Sequence, residues 1–374
     1  TKMARGDAHL FIPAKIVGLL QFTPPYANGG SSDFKRPPQN LDLPWNDPKN
    51  SWGQFVYAVV KQERGTIDTW ALWNEPDICN PAHPGFAWNG TVDQFYQLMK
   101  VGYQAAKAAN PDAVILLGSL GLVDVSCQTD NTKITFFNDF LRIAAADPAP
   151  GGAGRYFDAV TLDLHKEPEW IYNLVSTYHD RMKSYGFDRP VWVMEMGVPL
   201  VDHPIDPAAN DSLSVDADQQ ASFVIQGYAN AIAAGADHVG LFPVKDYPPG
   251  SPGYLAARTA IRFMSNVTSA QKLPPVSGLE GNRYDGVVRI VMDGLGFQTT
   301  VVYNRSRQPI AYDVPATATQ AIVSDKLGNE RTVIATQGVY HLQLEGMRGG
   351  YLAPWGEDVR FIGGSPLLVR EAKP

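Results

Sequence analysis

The octapeptide Trp70-Ala71-Leu72-Trp73-Asn74-Glu75-Pro76-Asp77 closes an apolar run on an amide and a carboxyl side by side, and the proline stops the run there. A second apolar run, Val191-Trp192-Val193-Met194-Glu195-Met196-Gly197, also ends on a glutamate. Two carboxyls delivered to one rim by two buried strands suit the cleavage of a glycosidic bond. One protonates the leaving oxygen, and the other attacks the anomeric carbon or activates water. A lone glutamate at a strand end is more often solvated or capping the next helix. The pairing at matching strand ends, with two tryptophans in the first run, is what points to this chemistry. A third run ends in Asp163-Leu164-His165-Lys166-Glu167, where His165 either serves the same rim or is a core histidine with both nitrogens satisfied.

These groups need a scaffold that sends several strands to one edge. Apolar runs that read as strands begin near Lys15, Asp68, Ala113, Phe157, Pro190 and Asp237, a mean repeat of about 44 residues over five intervals. That is the length of a strand, a helix and two loops in a parallel α/β protein. The intervening helices carry their own signals. Ser51 with Gln54 and Thr91 with Gln94 fit the capping box. The helices from about Pro168 and from about Asp216 run to Gly186 and Gly235, glycines suited to the left-handed position after a helix. Past about Leu273 the texture changes to short alternating runs, among them Val287–Val291, Thr299–Tyr303, Gln320–Val323 and Val339–Leu344. The expectation is an α/β fold, a (β/α)8-type TIM barrel over residues 1–272, followed by a small all-β sandwich over residues 273–374, with 273–278 as the link. Only 14 residues precede the first strand. Closing eight strands would take some 90 more, about two further units. Either the chain lacks its first two β/α units or the barrel is incomplete or closed in another way.

Composition narrows the function classes. The 374 residues are 44% hydrophobic and 18% charged, which describes a globular protein with ample core. A net charge of −7 and a pI near 5.5 argue against a nucleic-acid partner. No apolar run approaches membrane-spanning length and no signal peptide is read, so no membrane partner is expected. Neither a cofactor nor a metal is expected: the seven histidines show no ligand spacing, and no glycine-rich phosphate loop or Gly-x-Ser-x-Gly elbow occurs. Cys79 and Cys127 either bridge between neighbouring loops or stay as free thiols. Asn-x-Ser/Thr triplets at Asn89, Asn210, Asn266 and Asn304 permit glycosylation in a secretory host, and with the cysteines they lean toward an extracellular or periplasmic home.

Trp73-Asn74-Glu75-Pro76, followed 120 residues after Glu75 by Glu195, resembles the clan A retaining glycoside hydrolases. The stretch Gly18-Leu19-Leu20-Gln21-Phe22-Thr23-Pro24 looks like the third strand of the members grouped with β-xylosidases and α-L-iduronidases. The resemblance spans about residues 15 to 265. It implies a β/α barrel in which Glu75, at the end of the fourth strand, is the general acid/base and Glu195, at the end of the seventh, is the nucleophile. It also implies that Asn74 binds the sugar 2-hydroxyl and that His165 touches the nucleophile or substrate. Tyr26 and Trp45, on the loop after the third strand, and Trp88 after the fourth either stack on a sugar face or pack a loop. Phe242, with Lys245 and Asp246, follows the eighth strand where the clan usually carries a tryptophan, and the clan's second-strand arginine has no counterpart. The implied partner is an oligosaccharide or polysaccharide. Sugar, linkage and oligomeric state are not legible. The competing reading is a glycan-binding protein whose incomplete barrel has lost turnover.

Overall fold

The computed structural model describes residues 16–78, 80–83, 85–121, 135–148, 156–165, 167–200, 215–274, 286–348, 351–352, 358–359 and 362–373. Lys15, Cys79, Cys127, Lys166, Asn210 and the 275–278 part of the expected link lie outside the described residues. The chain divides into two compact units, one drawn from Thr1–Asp163 and His179–Trp192, the other from Leu164–Tyr178 and Val193–Pro374.

Six strands match the six expected runs: β1 (Val17–Leu20), β2 (Thr69–Asn74), β3 (Val114–Leu120), β4 (Ala159–Leu164), β5 (Val191–Met196) and β6 (Ala236–Val239). Their sheet order is the chain order. Helices α1 (Ser51–Glu63), α2 (Val92–Ala109), α3 (Thr135–Ala146), α4 (Pro168–Ser184) and α5 (Ala217–Ala233) separate them in turn, and α6 (Pro252–Met264) follows the last. This alternation is a partial α/β barrel.

In the first unit β1 pairs parallel with β2, β2 with β3, and β3 with β4. Their sequences are mostly apolar because strands buried on both faces favour such residues, and β4 is buried along its whole length, Thr161 and Asp163 included. Thr91 caps α2 in a complete capping box with Gln94. The box expected at Ser51 does not form. Asn50 is the cap of α1: its Oδ1 accepts from Gly53 N–H at 3.0 Å while its Nδ2 donates to Leu43 O at 2.8 Å. An amide that caps the helix and ties down the preceding loop displaces a hydroxyl that could do only the first.

In the second unit the N–H groups of Gly240 and Phe242 donate to Val193 O and Met196 O, so β6 and the residues after it ascend alongside β5. Asp216 and Gln219 form a capping box at the start of α5. Gly186 and Gly235 hold φ of 77° and 92° just past their helices, as the sequence required.

The same unit holds the β-rich region. A six-stranded sheet runs in the order β12 (Glu330–Ile334), β11 (Gln320–Ser324), β16 (Leu367–Ala372), β9 (Phe297–Asn304), β8 (Val287–Gly294) and β7 (Val267–Lys272). Opposite it stand the antiparallel pair β10 (Ile310–Pro315) and β13 (Val339–Leu344), and β14 (Tyr351–Leu352) pairs with β15 (Asp358–Val359). β7 precedes the boundary expected at residue 272, yet it pairs antiparallel with β8. One apolar cluster, with Val302, Val314, Val323, Tyr340 and Leu344, fills the sandwich. A second joins Val224, Ile225, Ala260 and Phe263 of α5 and α6 to Ile290, Met292, Val301 and Leu368 of the sheet.

Candidate active site

Glu75 follows β2 directly and lies in the first unit. Asn74 is its last residue, in register with Ser119 of β3, and Glu75 N–H donates to Ser119 O at 2.7 Å. The backbone then departs from the strand: Trp73 has φ of 78° and Glu75 φ of 44°. Left-handed geometry in residues with side chains costs on the order of 1–3 kcal/mol each and concentrates at functional sites. The surrounding packing holds it in place. The Trp73 indole is fully buried, donates from Nε1 to Ala87 O at 3.0 Å, and meets Trp88, Phe22 and Trp52 edge-on. Asn74 and Glu75 themselves remain half-buried.

The Glu75 carboxyl has room because residue 121 lacks a side chain. A Cβ on Gly121 would lie 2.5 Å from Glu75 Oε1 and 3.0 Å from its Cδ. Gly121 is anchored in turn, since its N–H donates to Asp77 Oδ1 at 3.0 Å. The Asn-Glu-Pro-Asp turn and the end of β3 therefore brace each other. Sequence reading missed Gly121; its only signal was a glycine directly after the run Val114–Leu120.

Glu195 is the penultimate residue of strand β5 and lies in the second unit, 27% exposed at the side chain. His165, one residue past β4, spans two neighbours. Its Nε2 stands 3.6 Å from Glu195 Oε2 and its Nδ1 3.4 Å from Gly197 O. With Nδ1 protonated toward that carbonyl, the approach to Glu195 is attractive when Nε2 carries a proton as well. The Phe242 ring lies 5.7 Å from the imidazole. A side chain at residue 197 would collide with Phe242 O, so Gly197 permits the close passage that brings Phe242 beside His165. The structure thus brings together Glu195, His165 and Phe242.

The loop aromatics differ from one another. Tyr26, on the turn Pro25–Ala27, is 83% exposed and presents its ring to solvent. Trp45 is half-buried with one face stacked on Tyr57, 5.0 Å away and 23° from parallel. Trp88 is buried against Trp73 and Phe95, which settles its two readings in favour of packing. Among the described residues no cluster of His, Cys, Asp and Glu is arranged to hold a metal ion.

The chain matches no family model and no curated protein. Its structural neighbours include clan A glycoside hydrolases. It is similar to a family 39 glycoside hydrolase from the gut symbiont Bacteroides cellulosilyticus WH2, with a TM-score of 0.58 and 16% identity over 96% of this chain and 68% of that one. It is similar to a conserved exported protein from Bacteroides fragilis, with a TM-score of 0.60 and 13% identity over 95% and 76%. A GH30 endoxylanase from Clostridium papyrosolvens C71 aligns with a TM-score of 0.53 and 10% identity over 91% and 78%. At these identities the likeness is one of fold.

Proposed function

We propose that the chain is a glycosidase that works with retention of configuration, with Glu75 as general acid/base and Glu195 as nucleophile. The observation that carries the reading is the setting of Glu75: a carboxyl at a parallel-strand end, in left-handed backbone geometry, with its space cleared by Gly121, on a fold shared with glycoside hydrolases. Asn74 binds the sugar 2-hydroxyl, through a bond that strengthens as oxocarbenium character develops. His165 steadies the Glu195 carboxylate, Phe242 floors the sugar site, and Tyr26 and Trp45 offer ring faces to an oligosaccharide or polysaccharide.

Retention calls for the two carboxyls about 5 to 5.5 Å apart. In that mechanism Glu195 attacks the anomeric carbon through its carboxylate charge while Glu75 gives its proton to the leaving oxygen. Covalent attack removes that charge and lets the partner act as base on the incoming water. The six described strands are the third to eighth of an eight-stranded barrel. An extracytoplasmic location fits the exported neighbour from Bacteroides fragilis. Among the described residues no helix is long and apolar enough to cross a membrane.

A screen of aryl β-glycosides against wild type, Glu75→Ala and Glu195→Ala tests the assignment. Either substitution abolishes turnover, and azide restores part of it with opposite product anomers from the two variants. Full activity in Glu195→Ala ends the nucleophile assignment.

A further inference from the structure

Beyond the end of β5, a pocket of about 270 Å³ is walled by Leu200, Pro248, Gln220, Lys245, Asp246 and Ser251. It holds about nine water volumes at roughly 30 Å³ each, enough for a monosaccharide-sized guest. Asp246 is only 7% exposed, and its buried Oδ2 has no hydrogen-bond partner. The hydroxyl of Tyr247, a residue 4% exposed, is likewise buried without a partner. Two adjacent residues each leaving a buried polar atom unmet is an arrangement that folding alone disfavours. Burial, reinforced by the negative charge of Asp246, pushes the Tyr247 hydroxyl up, so it stays a donor at working pH.

The pocket stands next to the Glu195 strand end. Gln220 Nε2 donates to Val198 O at 3.4 Å, three residues past Glu195, and Phe242, four residues before Asp246, lies beside His165. A carboxylate oxygen in such a place accepts from hydroxyls, and Lys245, Gln220 and Ser251 in the same wall supply donors. That combination suits a polyhydroxylated ring. A sugar carrying its own carboxylate would be repelled by Asp246. A metal ion is poorly served by one carboxylate with an ammonium beside it.

We propose that this pocket is a second sugar subsite, taking a neutral monosaccharide unit of the chain that is cleaved, with Asp246 accepting from its ring hydroxyls. The inference rests on the glycosidase reading for its choice of guest. The test compares wild type with Asp246→Asn, kinetically on neutral xylo- and cello-oligosaccharides of two to five units and on single-sugar aryl glycosides, and thermally without ligand. Losing a charged acceptor raises KM for the oligosaccharide that best fits by ten- to a hundredfold, at least tenfold more than for the single-sugar substrate. The ligand-free variant melts at a higher temperature than wild type, because an unmet buried charge is gone.

Equal effects on both substrates, an unchanged KM for oligosaccharides, or a fall in melting temperature or failure to fold overturns the proposal. If wild type cleaves no glycoside, the glycosidase reading fails, and calorimetry with the same oligosaccharides decides the pocket separately. Weaker binding by Asp246→Asn keeps it, and equal binding or none by either protein rejects it.

Discussion

Gln226 on α5 grips the backbone at Gly363 in both directions. Its Nε2 donates to Gly363 O at 3.1 Å and to Gly364 O at 2.9 Å, and its Oε1 accepts from Gly363 N–H at 3.0 Å. It is one rung of a ladder. At four-residue spacing along α5, Asp218 and Ser222 take the Lys326 ammonium at 2.8 and 2.9 Å, and Asn230 bonds the Tyr303 hydroxyl and the Lys272 ammonium. Residues spaced by four share one helix face, so this stripe fixes the register of α5 on the β-rich region, where apolar packing alone would let it slide.

Replacing Gln226 by Ala strands three buried backbone groups at once. The expected loss of stability is about 2 to 4 kcal/mol, within the range seen when a buried polar network is broken. The urea midpoint of the full chain measures it. A loss under about 1 kcal/mol means that the ladder does not hold the helix.

Gly121→Ala tests the bracing of the acid/base candidate. The added Cβ meets the Glu75 carboxyl head-on at 2.5 Å, and the carboxyl must swing aside. Since misplacement by about 1 Å can cost a hundredfold, kcat on an aryl glycoside falls by about that factor while the melting temperature changes little. Undiminished kcat separates Gly121 from the chemistry.

Strands β2 to β5 were legible because strands buried over most of their length read as largely apolar runs, β6 was found only through the apolar residues that follow it, and Pro76 marks where the first candidate carboxyl leaves its strand. The carboxyl's setting was not legible: the left-handed φ of Trp73 and Glu75 is held by bonds to Ala87 and Ser119, 14 and 44 positions away. Asn50 took the cap from Ser51 for a similar reason, through its bond to a loop that local pattern does not show. β7 hid because its alternation is polar, Val-Thr-Ser-Ala-Gln-Lys, with no fully buried position. The α5 ladder was written plainly as Asp218, Ser222, Gln226 and Asn230, but a polar stripe has meaning only once a partner surface is known. Asp246 left no signal at all, since burial without a partner is a property of the fold.

The glycosylation triplets are sorted by burial. Asn304 is fully buried, with Nδ2 donating to Gln308 O at 2.7 Å and Oδ1 accepting from Ser306 N–H at 2.8 Å, so a folded chain cannot offer it to a transferase. Asn89 and Asn266 are exposed. Expressed through a secretory host, the folded protein carries glycan at Asn89 or Asn266 and none at Asn304, as peptide mass spectrometry reads directly. Glycan at Asn304 in folded, soluble material contradicts the burial of that strand end.

Alkaline stability follows from Tyr303. Its hydroxyl is buried, donates to Glu169 Oε1 at 2.8 Å and accepts from Asn230, while Arg305 holds the other Glu169 oxygen at 2.7 Å. Burial first, then the Glu169 charge, keep its pKa well above the ordinary tyrosine value of 10.0. Below pH 10 both folded and unfolded chains keep this proton and the group adds no pH dependence. Above pH 10 the unfolded tyrosine loses its proton while the folded one retains it. The unfolded state then binds fewer protons, and stability falls by up to about 1.4 kcal/mol per pH unit from this residue. Tyr303→Phe removes that increment, so the wild-type and variant curves of unfolding free energy against pH converge above pH 10. At pH 7 the variant is weaker by about 1 to 3 kcal/mol, because Glu169 and Asn230 each lose a partner. Urea unfolding at pH 7, 9, 10 and 11 gives both quantities, and parallel curves across that range place the Tyr303 proton elsewhere in the pH scale.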